Sequence, residues 1–154
     1  MDEAMEIISV RLVTEGLCAR LAAERADDAE LQQLQSILDE SEKASSARDV
    51  ERLMLFDREF HETLANAAKN KVLADTLRNL HERSLRFWFI SLRDPDHHRR
   101  VLMQHRTIVD ALRSRKPDLA ETVMREHINA FQRNVTHQVR VRGCRFHETS
   151  KTTR

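Results

Sequence analysis

The chain has 154 residues, 40% hydrophobic and 33% charged, with a formal net charge of +1, two glycines, two prolines and no tyrosine. That length suits one domain with a substantial core, and the near-balanced charge excludes a strong global pull toward nucleic acid or a membrane surface. So few turn-forming residues leave little material for a sheet, and the Leu-, Ala-, Arg- and Glu-rich segments predict an all-α protein. No apolar stretch approaches a membrane span, and Met1-Asp2-Glu3 does not open a signal peptide. Cys18 and Cys144 form no CxxC pair. A reducing, cytoplasmic setting is therefore expected, with no membrane partner.

Hydrophobic periodicity predicts six helices. The first runs from about Ala4 to Arg25 and places Ile8, Leu12, Leu17 and Leu21 among its apolar positions. Asp27 reads as an N-cap, and Glu30 three residues later completes a capping-box pattern. The second helix carries Leu31, Leu34, Ile37 and Leu38 and fades in Lys43-Ala44-Ser45-Ser46. Asp49 caps a third helix with Leu53, Phe56, Phe60 and Leu64, ending near Ala68. Asn70 separates it from a fourth, with Leu73, Leu77, Leu80 and Trp88. Asp94-Pro95-Asp96 breaks the chain before a fifth helix bearing Val101, Ile108, Val109 and Leu112. Lys116-Pro117-Asp118 starts a sixth, with Ala120, Val123, Met124, Ile128 and Phe131. Periodicity is lost near Arg140, so residues 141–154 are expected to form a flexible tail behind a domain spanning 1–140. Short connections favour antiparallel neighbours in a bundle.

Four polar residues fall on the apolar stripes. Asp57 and His61 stand one turn apart among Leu53, Phe56, Phe60 and Leu64. An i, i+4 pair points both side chains the same way, about 5–6 Å apart at Cβ. His105 lies between Val101 and Ile108, and His127 between Met124 and Ile128. An ionised Asp in a core costs several kcal/mol unless paired, and a metal supplies that pairing while keeping each imidazole deprotonated. Three nitrogens and one oxygen suit Zn, Ni, Co, Mn or Fe(II), and suit Ca or Mg poorly. Any one such histidine taken alone is more often a hydrogen-bonded core residue, and Asp57 could pair with a buried arginine instead. His97 and His98 read as part of a charged loop, and His81 on the fourth helix as an outside candidate.

With these elements in place the chain resembles a known family. The stretches are Val10-Arg11-Leu12-Val13-Thr14-Glu15 leading into Ala19-Arg20-Leu21-Ala22-Ala23-Glu24-Arg25-Ala26; Asp57-Arg58-Glu59-Phe60-His61; Ala67-Ala68-Lys69-Asn70 with Leu73; His105-Arg106-Thr107-Ile108-Val109-Asp110-Ala111-Leu112; and Ala120 through His127. Together they resemble the FCD domain, the effector-binding domain of the FadR subfamily of GntR-type transcription regulators, over roughly residues 6 to 135. The resemblance implies an antiparallel helical bundle around a central metal and ligand pocket, of the compact VanR-like branch. It implies Asp57, His61, His105 and His127 as metal ligands, with zinc the first expectation and Ni, Mn, Co or Fe as alternatives. It implies a small carboxylic acid as effector, with Arg11 pairing to the acid's carboxylate.

Arg11 also makes chemical sense for that role, because a guanidinium binds a carboxylate through two parallel hydrogen bonds. The alternative is a surface Arg11 paired with Glu15 at i+4. Arg83 and Arg86 are further candidates for the same pocket, and Trp88 for its wall. Arg86-Phe87-Trp88-Phe89-Ile90 is apolar on nearly every side after Arg86, which predicts a homodimer interface there. Regulators of this family place a winged helix–turn–helix of on the order of 65–75 residues before the effector domain. This chain holds no such module, so it reads as an effector domain whose DNA contact belongs to an N-terminal domain absent from it. The competing expectation is a metalloenzyme using an open coordination position. No HExxH element supports it, and Glu59 and Glu126 should point away from the site.

Overall fold

The computed structural model describes residues 2–91 and 95–149, with side chains described over 3–89 and 96–138. Six helices follow one another: α1 (Asp2–Arg25), α2 (Asp28–Ser46), α3 (Val50–Ala67), α4 (Lys71–Ser91), α5 (Pro95–Arg113) and α6 (Pro117–Thr149). There is no strand among the described residues. None of the helices is long and apolar enough to cross a membrane, among the described residues.

Helices α2, α3 and α4 start on short polar side chains, of which Asp27 and Asp49 are predicted as caps by the sequence. Asp27 accepts the Glu30 amide at 2.9 Å while its own amide donates to the Glu30 carboxylate at 3.0 Å, a reciprocal capping box. Asp49 accepts the Arg52 amide at 3.1 Å, and Asn70 accepts that of Leu73 at 3.1 Å. The helix ends are less conventional. Arg48, Lys69 and Arg115 adopt positive φ at 55°, 51° and 52°. At Arg48 and Arg115 the paired bonds of a left-handed helix stop are complete: Asp49 N–H donates to Ala44 O at 2.9 Å and Lys116 N–H to Ala111 O at 3.2 Å. Glycine usually takes that position, and here arginines do.

α1 packs most extensively along α6, α2 lies against α3 and α5, and α4 closes the bundle against α1, α3 and α6. The core contains Leu34, Leu38, Phe60, Leu64, Leu77, Ile108, Leu112, Met124 and Ile128, all fully buried. Ala19, Ala22 and Ala23 let neighbouring backbones approach α1 closely. Gly16 serves the same end, since a Cβ there would stand 3.1 Å from Cγ of Arg125 on α6.

Three expectations need correction. On α1 the buried face runs through Ala4, Ile7, Ile8, Arg11, Glu15, Cys18, Ala19 and Ala22, while Leu17 is exposed. At 100° per residue Arg11 and Glu15 occupy the middle of that face, and Leu17 falls on the far side with Val10 and Val13. His97 and His98 lie within α5, whose first turn begins at Pro95, and His97 is buried. α6 continues to Thr149 instead of giving way at residue 141, because loss of apolar periodicity removes a packing face without removing helix-forming residues. Residues 150–154 of the expected tail lie outside the described residues. Phe87 and Trp88 of the expected dimer surface pack against the core, while Phe89 is 56% exposed and Leu85 38%. The Ile90 side chain lies outside those described.

Candidate metal and effector site

α3, α5 and α6 each project an imidazole into the same point of the bundle. One ring nitrogen from each of His61, His105 and His127 lies within 4.8 Å of the others. Nε2 of His105 and Nε2 of His127 are 3.3 Å apart. Asp57, one turn before His61, brings Oδ1 to 3.8 Å from Nε2 of His105. The structure therefore brings the three imidazoles together and sets Asp57 beside His105.

Their surroundings fix the rings. His105 stacks on Phe60 with centroids 4.0 Å apart and planes 9° from parallel. Nδ1 of His127 is 2.8 Å from Oε1 of Gln104, so Nδ1–H donates outward and Nε2 faces the cluster. Nδ1 of His61 is 2.8 Å from Oε2 of Glu15, again leaving Nε2 on the inner side. Oδ1 of Asp57 is buried and has no hydrogen-bond partner, while the Trp88 side chain hydrogen-bonds the carboxyl. Three converging imidazole nitrogens, with an acceptor-only carboxylate oxygen beside one of them, are donors that a divalent transition metal takes.

The electrostatics follow from burial. Burial, together with neighbouring His127 and His61, holds His105 well below the usual histidine range. His127 is pushed down to about 3 by burial and by His61. Both rings are thus neutral near pH 7, with lone pairs available. Burial pushes Asp57 up to about 6, against the pull of His61 and Arg11. His61 goes the other way. Burial would lower it, but Glu15 and Asp57 outweigh that and raise it.

Beside this cluster a narrow cleft opens between α3 and α4, lined by Arg11, Asp57, His61, His81, Ser84 and Trp88 among others. A second narrow hollow is lined by Leu53, Asp57, Trp88, His97 and His105. Asp57 and Trp88 are common to both, so Trp88 does wall the cavity. Arg11 is 4% exposed, with its guanidinium over the Phe131 ring at 5.3 Å. The surface alternative for Arg11 does not hold, although its Nε does donate to Glu15, at 2.6 Å.

Arg83 and Arg86 do not reach the cleft. Both are exposed and ion-paired to Glu3, Arg83 at 3.1 Å. The reason is rotational. His81, Ser84, Leu85 and Trp88 form the cleft-facing stripe of α4, and positions 83 and 86 point to the opposite side. His81, an outside candidate from the sequence, does line it, and Glu15 lies buried behind it. Glu15 is 1% exposed, and His81 places Nε2 3.1 Å from Glu15 Oε1. Burial pushes His81 down to about 4. Burial would raise Glu15, yet Arg11, His61 and His81 hold it well below the carboxylate range. The signal for Glu15 was present as its position at the centre of the α1 face. Glu59 and Glu126 are exposed, as expected.

Comparison with known proteins places these features in context. The family described as "FCD domain" matches residues 6–130. The chain is 27% identical over 146 residues to the Glc operon transcriptional activator of Escherichia coli (strain K12), covering 90% of this chain and 57% of that protein. It is 34% identical over 128 residues to the HTH-type transcriptional repressor NanR of Cronobacter sakazakii, covering 79% and 46% respectively. Among solved structures, Streptococcus agalactiae GntR superposes with a TM-score of 0.72 at 28% identity, covering 84% of this chain and 58% of that one. E. coli McbR/YncC shares the fold, with a TM-score of 0.79 at 18% identity over 87% of this chain and 64% of that one. The chain spans about half the length of the curated relatives it matches.

Proposed function

Given that the chain belongs to the FCD-domain family of GntR-type transcription regulators, we propose that it senses a small organic acid through a divalent metal held in its helical core. The matched relatives are transcription regulators rather than enzymes. The observation that carries the sensor reading is the convergence of His61, His105 and His127 within 4.8 Å, beside the buried, unpartnered Oδ1 of Asp57. Those four residues would hold the metal, with zinc ahead of Ni, Mn, Co or Fe. The metal supplies a Lewis-acidic anchor for one carboxylate oxygen of the effector. Arg11 supplies the second contact, a guanidinium edge that enters the same cleft. Trp88 would form one wall of that cleft.

Sensing requires that the acid bind one arrangement of the bundle better than another. Asp57, His61, His105 and His127 sit on three different helices, so closing them on one ion with its acid favours a particular disposition of α3, α5 and α6. An attached winged helix–turn–helix, in a cytoplasmic regulator working as a homodimer, would read out that disposition.

The test starts with metal analysis of the purified chain before and after chelation. About one ion per chain is expected, and none would sink the proposal. Small mono- and dicarboxylates are then screened by thermal shift with and without zinc. Stabilisation that needs the metal supports the reading; stabilisation indifferent to it argues against it.

A further inference from the structure

Glu15 is the most deeply buried charged side chain described, and it touches three helices. Its Oε1 accepts from Arg11 Nε at 2.6 Å on α1 and lies 3.1 Å from His81 Nε2 on α4. Its Oε2 lies 2.8 Å from His61 Nδ1 on α3, close enough to bond although the alignment falls short of a full hydrogen bond. Arg11 neutralises the carboxylate, which is why the group tolerates burial. The partners are divided between the two oxygens: the guanidinium and His81 on one, the metal-facing histidine on the other.

We infer that Glu15 is a positioning residue that holds His61 with Nε2 toward the metal centre and locks Arg11 in the effector cleft. This rests on the metal-sensor reading above. A carboxylate behind an imidazole fixes its tautomer and makes its other nitrogen a stronger donor. His127 has a neutral partner in that position, Oε1 of Gln104 at 2.8 Å. His61 is therefore the imidazole with an anionic partner among those two. A carboxylate is required because both of its oxygens accept, whereas an amide has one accepting end and one donating end. A glutamine at position 15 would give its one oxygen to the charged Arg11 and leave His61 Nδ1 without an acceptor. On the Arg11 side, Glu15 occupies Nε and leaves the remaining guanidinium nitrogens for an anion in the cleft that Arg11 lines.

The experiment compares the wild-type chain with Glu15→Gln and Glu15→Ala. The His61 tautomer is read in the metal-free chain by long-range ¹H–¹⁵N NMR, at a pH high enough to keep the imidazole neutral. Zinc affinity is read by competition with a chromophoric chelator, and the ligand field from the visible spectrum of the Co(II)-loaded chain. In wild type a single Nδ1–H tautomer is expected at His61. Both variants should mix tautomers, weaken zinc about 10- to 100-fold and shift the cobalt bands. If Glu15→Ala does not fold, Glu15→Gln alone decides, since it keeps the volume. Wild-type tautomer and zinc affinity in Glu15→Gln would overturn the inference. Two zinc ions per wild-type chain would overturn it too, because Glu15, His61 and His81 would then be ligands of a second site. Failure of the wild type to take up zinc would sink the sensor reading instead, and the tautomer would still report whether Glu15 positions His61.

Discussion

At the scale of single residues, the site is built from side chains whose burial makes sense only in combination. His105 is sandwiched between the Phe60 ring at 4.0 Å and the His127 nitrogen at 3.3 Å, so it has no room to turn away. Replacing it with alanine removes a donor and leaves Asp57 Oδ1 without its nearest imidazole at 3.8 Å. His105→Ala is therefore expected to abolish stoichiometric zinc and the zinc-dependent thermal shift by carboxylates. Unchanged metal content by elemental analysis would contradict that. The four expected ligands were legible because a polar residue on an apolar stripe is conspicuous in a sequence. Glu15 was not, although it too lies on such a stripe, because Arg11 four residues earlier makes the pair look like an ordinary surface bridge. Arg83 and Arg86 were misjudged for a related reason. Proximity in sequence to Trp88 suggested the cleft, while the rotation of α4 turns both outward to Glu3.

At the scale of elements, the positions of the first helix starts and stops were readable, and the backbone geometry of the stops was not. Asp27, Asp49 and Asn70 each bond an amide three residues on, a local interaction that depends on nothing distant. The ends at Arg48 and Arg115 put a long side chain at positive φ, which costs on the order of 1 kcal/mol relative to glycine. They differ in what the side chain returns. Arg48 is exposed, whereas Arg115 donates to Ala26 O at 2.6 Å and so ties the end of α1 to the α5–α6 turn. Arg48→Gly is expected to stabilise the fold by about 0.5–1 kcal/mol. Arg115→Gly should show no gain, because the relief of strain is offset by a lost hydrogen bond to a carbonyl. Urea denaturation of the two variants distinguishes them, and equal gains would show that the Arg115 contact contributes nothing. The length of α6 belongs at this scale as well: periodicity reports which residues pack, and a helix can outrun its packing face.

At the scale of the whole molecule, α4 is where the chain has more apolar surface than one bundle uses. Phe87 and Trp88 are taken up by the core and Leu85 by the rim of the cleft, while Phe89 at 56% exposure is left facing outward. In the proposed homodimer this surface is covered by its counterpart in a second copy. Phe89→Asp is expected to convert the dimer to monomer in sedimentation equilibrium, with little change in the helical signal. A dimer of unaltered affinity would place the interface on another face. The cleft opens beside this helix, so a dimer joined through α4 would carry strain from the effector site directly to the partner.

The order of helices, their caps and the family were present in the residues themselves, because hydrophobic period, capping oxygens and local motifs act over a few positions. The four residues proposed to hold the metal were also there, since a carboxylate and three imidazoles stand out on apolar stripes. What the residues alone left undecided is rotation and reach. Helix packing turned Leu17, Arg83 and Arg86 outward, brought Glu15 between Arg11, His61 and His81, and set Asp57 and Trp88 between two hollows. Those outcomes depend on which faces of six helices meet, and that is a property of the assembled bundle rather than of any stretch of chain.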